Sequence, residues 1–145
     1  MTINDLEDVK IEGLCGSGYT PEFKFVVVKI TDKGGSSKLI IRGVVGLRFH
    51  VEILARFVRN ELAGEYRTND AGVANLVGEL EFAVLGGGMM EANASHGPIS
   101  VWGRNIDPMT MRVWGASRAF GMEPDRTETI RMLQTKLTKL TVVGK

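Results

Sequence analysis

The sequence predicts a single α+β domain: a mixed or antiparallel sheet of about six strands with two main helices. Three observations predict it. Short β-branched and aromatic segments recur along the chain, and the apolar period becomes helical in two places. The order is strand, strand, helix, several strands, helix, strand, which is not the regular alternation of a parallel α/β fold. A length of 145 residues suits one domain, and no repeat, low-complexity tract or linker divides it.

The first clear strand is "EFKFVVVKIT", Glu22–Thr31. It is apolar on both alternating faces, which suggests a central strand covered on both sides. Lys24 breaks the even-numbered face formed by Val26, Val28 and Ile30. Asp32–Lys38 has hairpin chemistry, so Leu39–Gly43 reads as the next strand, antiparallel to the first. From Leu47 to Ala63 the period is helical, with His50, Ile53, Leu54, Phe57, Glu61 and Leu62 near one face, and Gly64 stops the helix. Glu65–Gly78 is weakly patterned, and Glu79–Gly88 is a strand ending in three glycines. Met89–Thr110 reads as a long excursion with a short strand at Ile99–Gly103. Met111–Ser117 is a strand, Arg118–Pro124 a loop, and Asp125 with Glu128 has capping-box spacing before a helix from Arg126 to Lys136. Lys139–Val143 is the last strand.

The bulk composition excludes several classes. Net charge is +1, from 18 basic and 17 acidic side chains, which argues against a general nucleic-acid binder. The single cysteine, Cys15, rules out an intramolecular disulfide and a multi-cysteine zinc site, and it reads as a plain small side chain. The acidic N-terminus is not a secretory signal, and no apolar run approaches a membrane span. The expectation is a cytoplasmic protein with neither membrane nor nucleic-acid partner. Nothing in the sequence demands more than a monomer.

One junction carries chemistry. In "LIIRGVVGLRFHVEIL", Arg42 ends a strand, Gly43 and Gly46 follow, and His50 lies in the first turn of a helix. A helix start offers unpaired N–H groups and the positive end of the macrodipole, and glycines let an anion approach the backbone. The guanidinium fork of Arg42 suits phosphate. A positive helix end favours neutral imidazole at position 50, able to accept a proton from water. A histidine on an apolar helix face is more often a hydrogen-bonded core residue, and an arginine at a strand end more often a solvated rim charge.

Other candidates are weaker. "LGGGMM" (Leu85–Met90) lacks the lysine and hydroxyl of a phosphate loop and reads as a turn or bulge. "GLCGSG" (Gly13–Gly18) is lead-in, and His96 sits in a surface loop. No metal-ligand spacing appears, so no cofactor is expected. Charge stabilisation of a phosphate would come from Arg, Lys and backbone N–H groups rather than Mg²⁺.

Taken in order, Phe23-Lys24-Phe25, Ile41-Arg42-Gly43, His50, Leu85-Gly86-Gly87-Gly88 and the segment Trp114–Gly121 resemble the Janus family, the group containing the protein phosphohistidine phosphatases. The resemblance runs from about Phe23 to Met132, most of the chain. It implies a twisted mixed sheet with a helix on each side. It also implies that His50 is the catalytic base, that Lys24 and Arg42 bind phosphate, and that the backbone N–H groups of Ser117 and Ala119 hold it too. The substrate class would be phosphohistidine-containing proteins, hydrolysed without a metal. Attack by His50 itself, forming a phosphoenzyme, is an open alternative. So is a catalytically weak module that only binds phosphoproteins. Two departures stand out. The stretch between Gly88 and Met111 is about a dozen residues longer than expected and reads as a loop insertion over 89–110. Between Arg42 and His50, where family members often carry a lysine, Val44, Val45 and Leu47 leave only Arg48 basic.

Overall fold

The computed structural model describes residues 2–14, 18–62, 75–77 and 80–144, with 75–77 described for their backbone only. Cys15, the helix stop at Gly64 and most of Glu65–Gly78 lie outside the described residues. After a short 3₁₀ turn at Ile3–Asp5 come β1 (Val9–Glu12), β2 (Tyr19–Thr31), β3 (Ser37–Val44), α1 (His50–Glu61), β4 (Asn75–Val77) and β5 (Leu80–Asn93). Then follow β6 (Ile99–Val101), β7 (Arg104–Ile106), β8 (Thr110–Trp114), α2 (Arg126–Lys136) and β9 (Thr141–Gly144). The architecture is α+β: a seven-stranded mixed sheet of order β1-β3-β2-β5-β8-β9, with β4 also on β5 and β6–β7 forming a separate hairpin. None of the described helices is long and apolar enough to cross a membrane.

The centre of the sheet follows from the double apolar face of β2. Val26, Val28 and Ile30 point to one side, where α1 brings Ile53, Leu54, Phe57 and Val58. Phe23, Phe25 and Val27 point to the other, where α2 brings Met132 and Leu133. Strand alternation therefore builds two cores from one strand, with a helix over each. The β2–β3 connection is antiparallel as expected, and Asp32 closes it by accepting from the Ser36 amide at 3.0 Å. Two parallel pairs, β1 with β3 and β8 with β9, frame the sheet. Helix α2 makes the crossover for the second pair. Its boundaries match the expectation: the Asp125 carboxylate accepts from the Glu128 amide at 3.1 Å, one half of the capping box.

Three expectations need correction. Helix α1 begins at His50, not Leu47, because Phe49 is extended and the Glu52 carboxylate takes its N–H at 2.9 Å. The stretch Val9–Glu12, read without a strand, pairs in parallel with β3, where Val9 is buried on the sheet. The excursion from Met89 is not all loop: β5 continues to Asn93, and 99–106 folds as the β6–β7 hairpin.

The three glycines do not end β5; they lie inside it. Between Val27 and Val28 the register with β2 shifts at Leu85–Gly86, a bulge, and Gly86 has φ +152. Each glycine lets something approach closer than a side chain allows. A Cβ on Gly86 would lie 2.2 Å from the Glu123 nitrogen. On Gly87 it would lie 2.2 Å from the Phe25 carbonyl oxygen and 3.0 Å from the His50 ring. On Gly88 it would lie 2.4 Å from the Trp114 carbonyl oxygen. Since each close neighbour is backbone, relief requires moving a strand or loop. Gly87→Ala is therefore expected to destabilise the domain by about 3 kcal/mol or more, whereas Gly97→Ala, with nothing near its Cβ, is expected to be neutral. Paired urea titrations check this, and equal midpoints for the two variants would refute it.

Candidate functional site

Four separate stretches meet in one pocket of about 420 Å³ on the α1 side of the sheet. Strand β2 contributes Lys24, the approach to α1 contributes Arg48 and Phe49, α1 contributes His50, and β5 contributes Met89. The loop after β8 contributes Ala116–Ala119. Pairing explains the convergence: Lys24 lies opposite Met89 across the β2–β5 ladder, and Met89 lies opposite Trp114 across β5–β8. The positive φ of Gly115 turns the chain away from β8 at that point. The chain then runs along the β5 edge, where the Gly87 amide donates to the Gly121 carbonyl at 2.9 Å.

His50 is the first residue of α1 and only 6% exposed, yet it forms part of the pocket wall. Its Nε2 lies 2.9 Å from the Gly88 carbonyl oxygen. A carbonyl only accepts, so Nε2 carries the hydrogen and Nδ1 is left as the basic nitrogen of the neutral ring. Burial lowers the pKa of His50 below the usual 6.5, and the charge of Lys24 lowers it further. The hydrogen bond to Gly88 opposes this by favouring the protonated ring, but burial dominates. The neutral imidazole read from the helix position is thus favoured, with burial as the main cause.

The serine loop is tied to itself. The Ser117 Oγ accepts from the amides of Ala119 at 3.2 Å and Phe120 at 3.1 Å. The Ser117 amide donates to the Gly121 carbonyl at 3.1 Å, and the Gly121 amide returns a bond to Ser117 at 2.8 Å. Both N–H groups expected to hold phosphate therefore line or adjoin the pocket but already have internal acceptors. Their bonds are longer than the commonest N–H···O length.

Arg42 is not in this pocket. Strand β3 runs on to Val44, so Arg42 lies inside a strand rather than at its end, on the face under the last turn of α1. There its Nε and Nη2 donate to the Glu61 carboxylate at 2.7 and 2.8 Å. Its Nη1 donates to the Ile41 carbonyl at 2.9 Å, and the guanidinium stacks on Phe57. Glu61 closes the helix that His50 opens, about 16 Å away at 1.5 Å per residue. Arg42 is 3% exposed, and a small separate cavity with Lys10, Glu12 and Arg56 in its wall adjoins it. Of the five expected residues, Lys24, His50, Ser117 and Ala119 come together, and Arg42 stays apart, held by a carboxylate.

Sequence reasoning missed the residues that support the pocket from behind. Arg126 opens α2, the wrong end for a cation in the helix dipole. The buried Glu123 compensates, accepting from Arg126 at 2.8 and 2.9 Å and from the Thr129 hydroxyl at 2.5 Å. Arg126 also donates to the Gly115 carbonyl at 2.6 Å and to Gly87 at 3.4 Å, and stacks on Phe25. It thereby joins the serine loop to β5. An arginine in the first turn of a helix, three residues after a glutamate, was the available signal. Arg48 and Arg118 were also passed over as pocket cations.

Because the Arg42–Glu61 pair is buried, Arg42→Ala leaves a carboxylate without its partner. The expected cost is about 3 kcal/mol of stability with no loss of inorganic phosphate affinity. Chemical denaturation and a phosphate titration check this together; weakened phosphate binding at unchanged stability would return Arg42 to the site.

Comparison with known proteins fits this architecture. The family model described as the Janus/Ocnus family matches residues 6–107. The sex-regulated protein janus-A of Drosophila mauritiana is 28% identical over 142 residues, 97% of this chain and 85% of that protein. Its counterpart in Drosophila simulans shows the same identity and coverage. In Drosophila melanogaster the identity is 27%, again over 142 residues with the same shares covered. With most of its length matched, the chain belongs to the Janus/Ocnus family.

Proposed function

We propose that this protein is a metal-independent phosphohistidine phosphatase acting on other proteins. One observation carries the proposal: a neutral imidazole, its tautomer fixed by the Gly88 carbonyl, stands in the wall of a pocket rich in cations. Lys24, Arg48 and Arg118 line that pocket, and the first turn of α1 adds its positive end. Among the described residues neither Lys24 nor Arg118 has a carboxylate partner. These charges remain for a ligand, unlike those of Arg42 and Arg126. The resemblance to the phosphohistidine phosphatases supplies the substrate class.

In this mechanism Lys24 and the pocket arginines orient the phosphoryl oxygens and offset their charge. A water attacks phosphorus in line, and His50 Nδ1 takes its proton as the new P–O bond forms. The P–N bond breaks, its electron pair goes to the leaving imidazole nitrogen, which takes a proton from solvent, and His50 returns its own proton to solvent. The products are inorganic phosphate and histidine. The amides of Ser117 and Ala119 join by exchanging their long internal bonds for charge-assisted bonds to phosphate.

A second reading, a module that binds phosphoproteins without useful turnover, draws on the withdrawal of Arg42 and the internal bonding of both amides. Phosphate release separates the two. His50→Ala is expected to remove nearly all hydrolysis of a phosphohistidine peptide while the far-ultraviolet spectrum stays unchanged. Wild-type turnover in that variant refutes the catalytic assignment. Lys24→Ala is expected to raise KM roughly tenfold, the loss of one charge-assisted phosphate contact. EDTA is expected to leave the rate unaltered.

The pH dependence follows from the lowered pKa of His50. The neutral base persists below pH 6.5, so kcat/KM is expected to hold level through that value and to fall only at lower pH. The linkage to folding has the same direction. The folded state binds its proton less readily than the unfolded chain, so this contribution to stability is complete above pH 6.5. It is lost as pH falls through the lowered pKa. An acid limb centred above 6.5 contradicts the assignment of His50 as the base.

A further inference from the structure

We infer that the β6–β7 hairpin is a docking finger for the polypeptide that carries the phosphohistidine, with Trp102 as its contact residue. The inference rests on the phosphatase reading and adds how a protein substrate is gripped outside the phosphate pocket.

Position is the first argument. Along one face of β5, the His50 ring meets Gly88, Met89 lines the pocket, and Glu91 stands two residues further on, about 7 Å away. Glu91 is 1% exposed, and the hairpin covers it: Arg104 donates to its Oε2 at 3.1 Å. The Tyr19 hydroxyl reaches the same oxygen at 3.4 Å. Arg104 is the first residue after the hairpin tip, Trp102–Gly103. The tip is therefore tied to the pocket's face of the sheet, one alternation beyond Met89.

Anchoring is the second. The base of the hairpin is held by Asn93, which is fully buried. Its amide donates to the carbonyls of Ile106 at 3.0 Å and Asp107 at 3.1 Å, and its oxygen accepts from the Ser95 amide. A projection fixed at base and tip by buried polar groups presents a preorganised surface.

Presentation is the third. Trp102 is 91% exposed and sits at φ +53, a conformation costly for a side chain of this size. The other exposed aromatic at the site, Phe49, stands in the pocket wall on the α1 side. Phe49 thus stands on the helix side of the pocket, and Trp102 tips the hairpin tied to Glu91 on the same face of β5. A phosphohistidine entering it brings flanking chain across the hairpin, where an indole suits apolar side chains and peptide groups.

The test compares two substrates on the full chain: phosphoramidate, which has no flanking polypeptide, and a short peptide with one central phosphohistidine. Trp102→Ala is expected to raise KM for the peptide about tenfold, to leave phosphoramidate turnover unchanged, and to be partly rescued by Trp102→Phe. In the His50→Ala variant, indole emission is expected to shift to the blue when the peptide binds, and the shift is expected to vanish when Trp102→Ala is added. Unchanged peptide kinetics in Trp102→Ala overturns the inference while leaving the phosphatase reading intact. So does an equal loss on both substrates, or a change confined to self-association or vesicle binding. A wild-type protein that hydrolyses neither substrate overturns the phosphatase reading and the docking finger together.

Discussion

The site depends on a stretch of strand with no side chains. At Gly86, Gly87 and Gly88 the backbone of β5 is bare, and three partners use the space. The loop after β8 lies against Gly86, the His50 ring against Gly87, and the Trp114 backbone against Gly88. These approaches bring the helix start, the serine loop and β2 to one pocket. Glycine loses more entropy on folding than other residues, so three in a buried strand are a local cost. The two helix-covered cores on either side of β2 offset it.

Charge is divided into two kinds. Arg42 is buried and Arg126 half-buried, and each forks onto a carboxylate, Glu61 and Glu123. Such pairs add little net stability over apolar packing, but they fix geometry. One holds the end of α1 to β3, and the other holds the serine loop to the sheet. Lys24, Arg48 and Arg118 face the pocket instead. The charge left without a carboxylate partner therefore lies in the pocket-facing group, even though the paired arginines have the better hydrogen-bond geometry.

Legibility in the sequence followed the physics of each signal. Strand β2, α2 and the antiparallel β2–β3 pair were readable because alternation and capping are local. Helix α1 was readable in its apolar face but not in its first residue, since a carboxylate three positions ahead decided the start. Lys24 and His50 were readable as a pair only through the ordered resemblance; no local pattern links residues so far apart in the chain. Arg42 was misplaced because its partner, Glu61, lies on another element, and a strand arginine looks the same whether it faces phosphate or carboxylate. The glycine run gave the right composition and left turn or bulge open, because a bare strand is defined by what approaches it. The cluster of buried Glu123 and Thr129 with Arg126 gave no periodic signal.

The central pairing of β2 with β5 joins segments about 60 residues apart, and closing so large a loop carries an entropic penalty of a few kcal/mol before any contact repays it. Helix α1 and the β2–β3 hairpin are local and can form early. The pocket cannot, because Lys24 and Met89 become neighbours only when that long ladder zips up. During refolding, the local helix and hairpin should accordingly return ahead of the pocket, and a newly made chain assembles those walls only once the long ladder has closed.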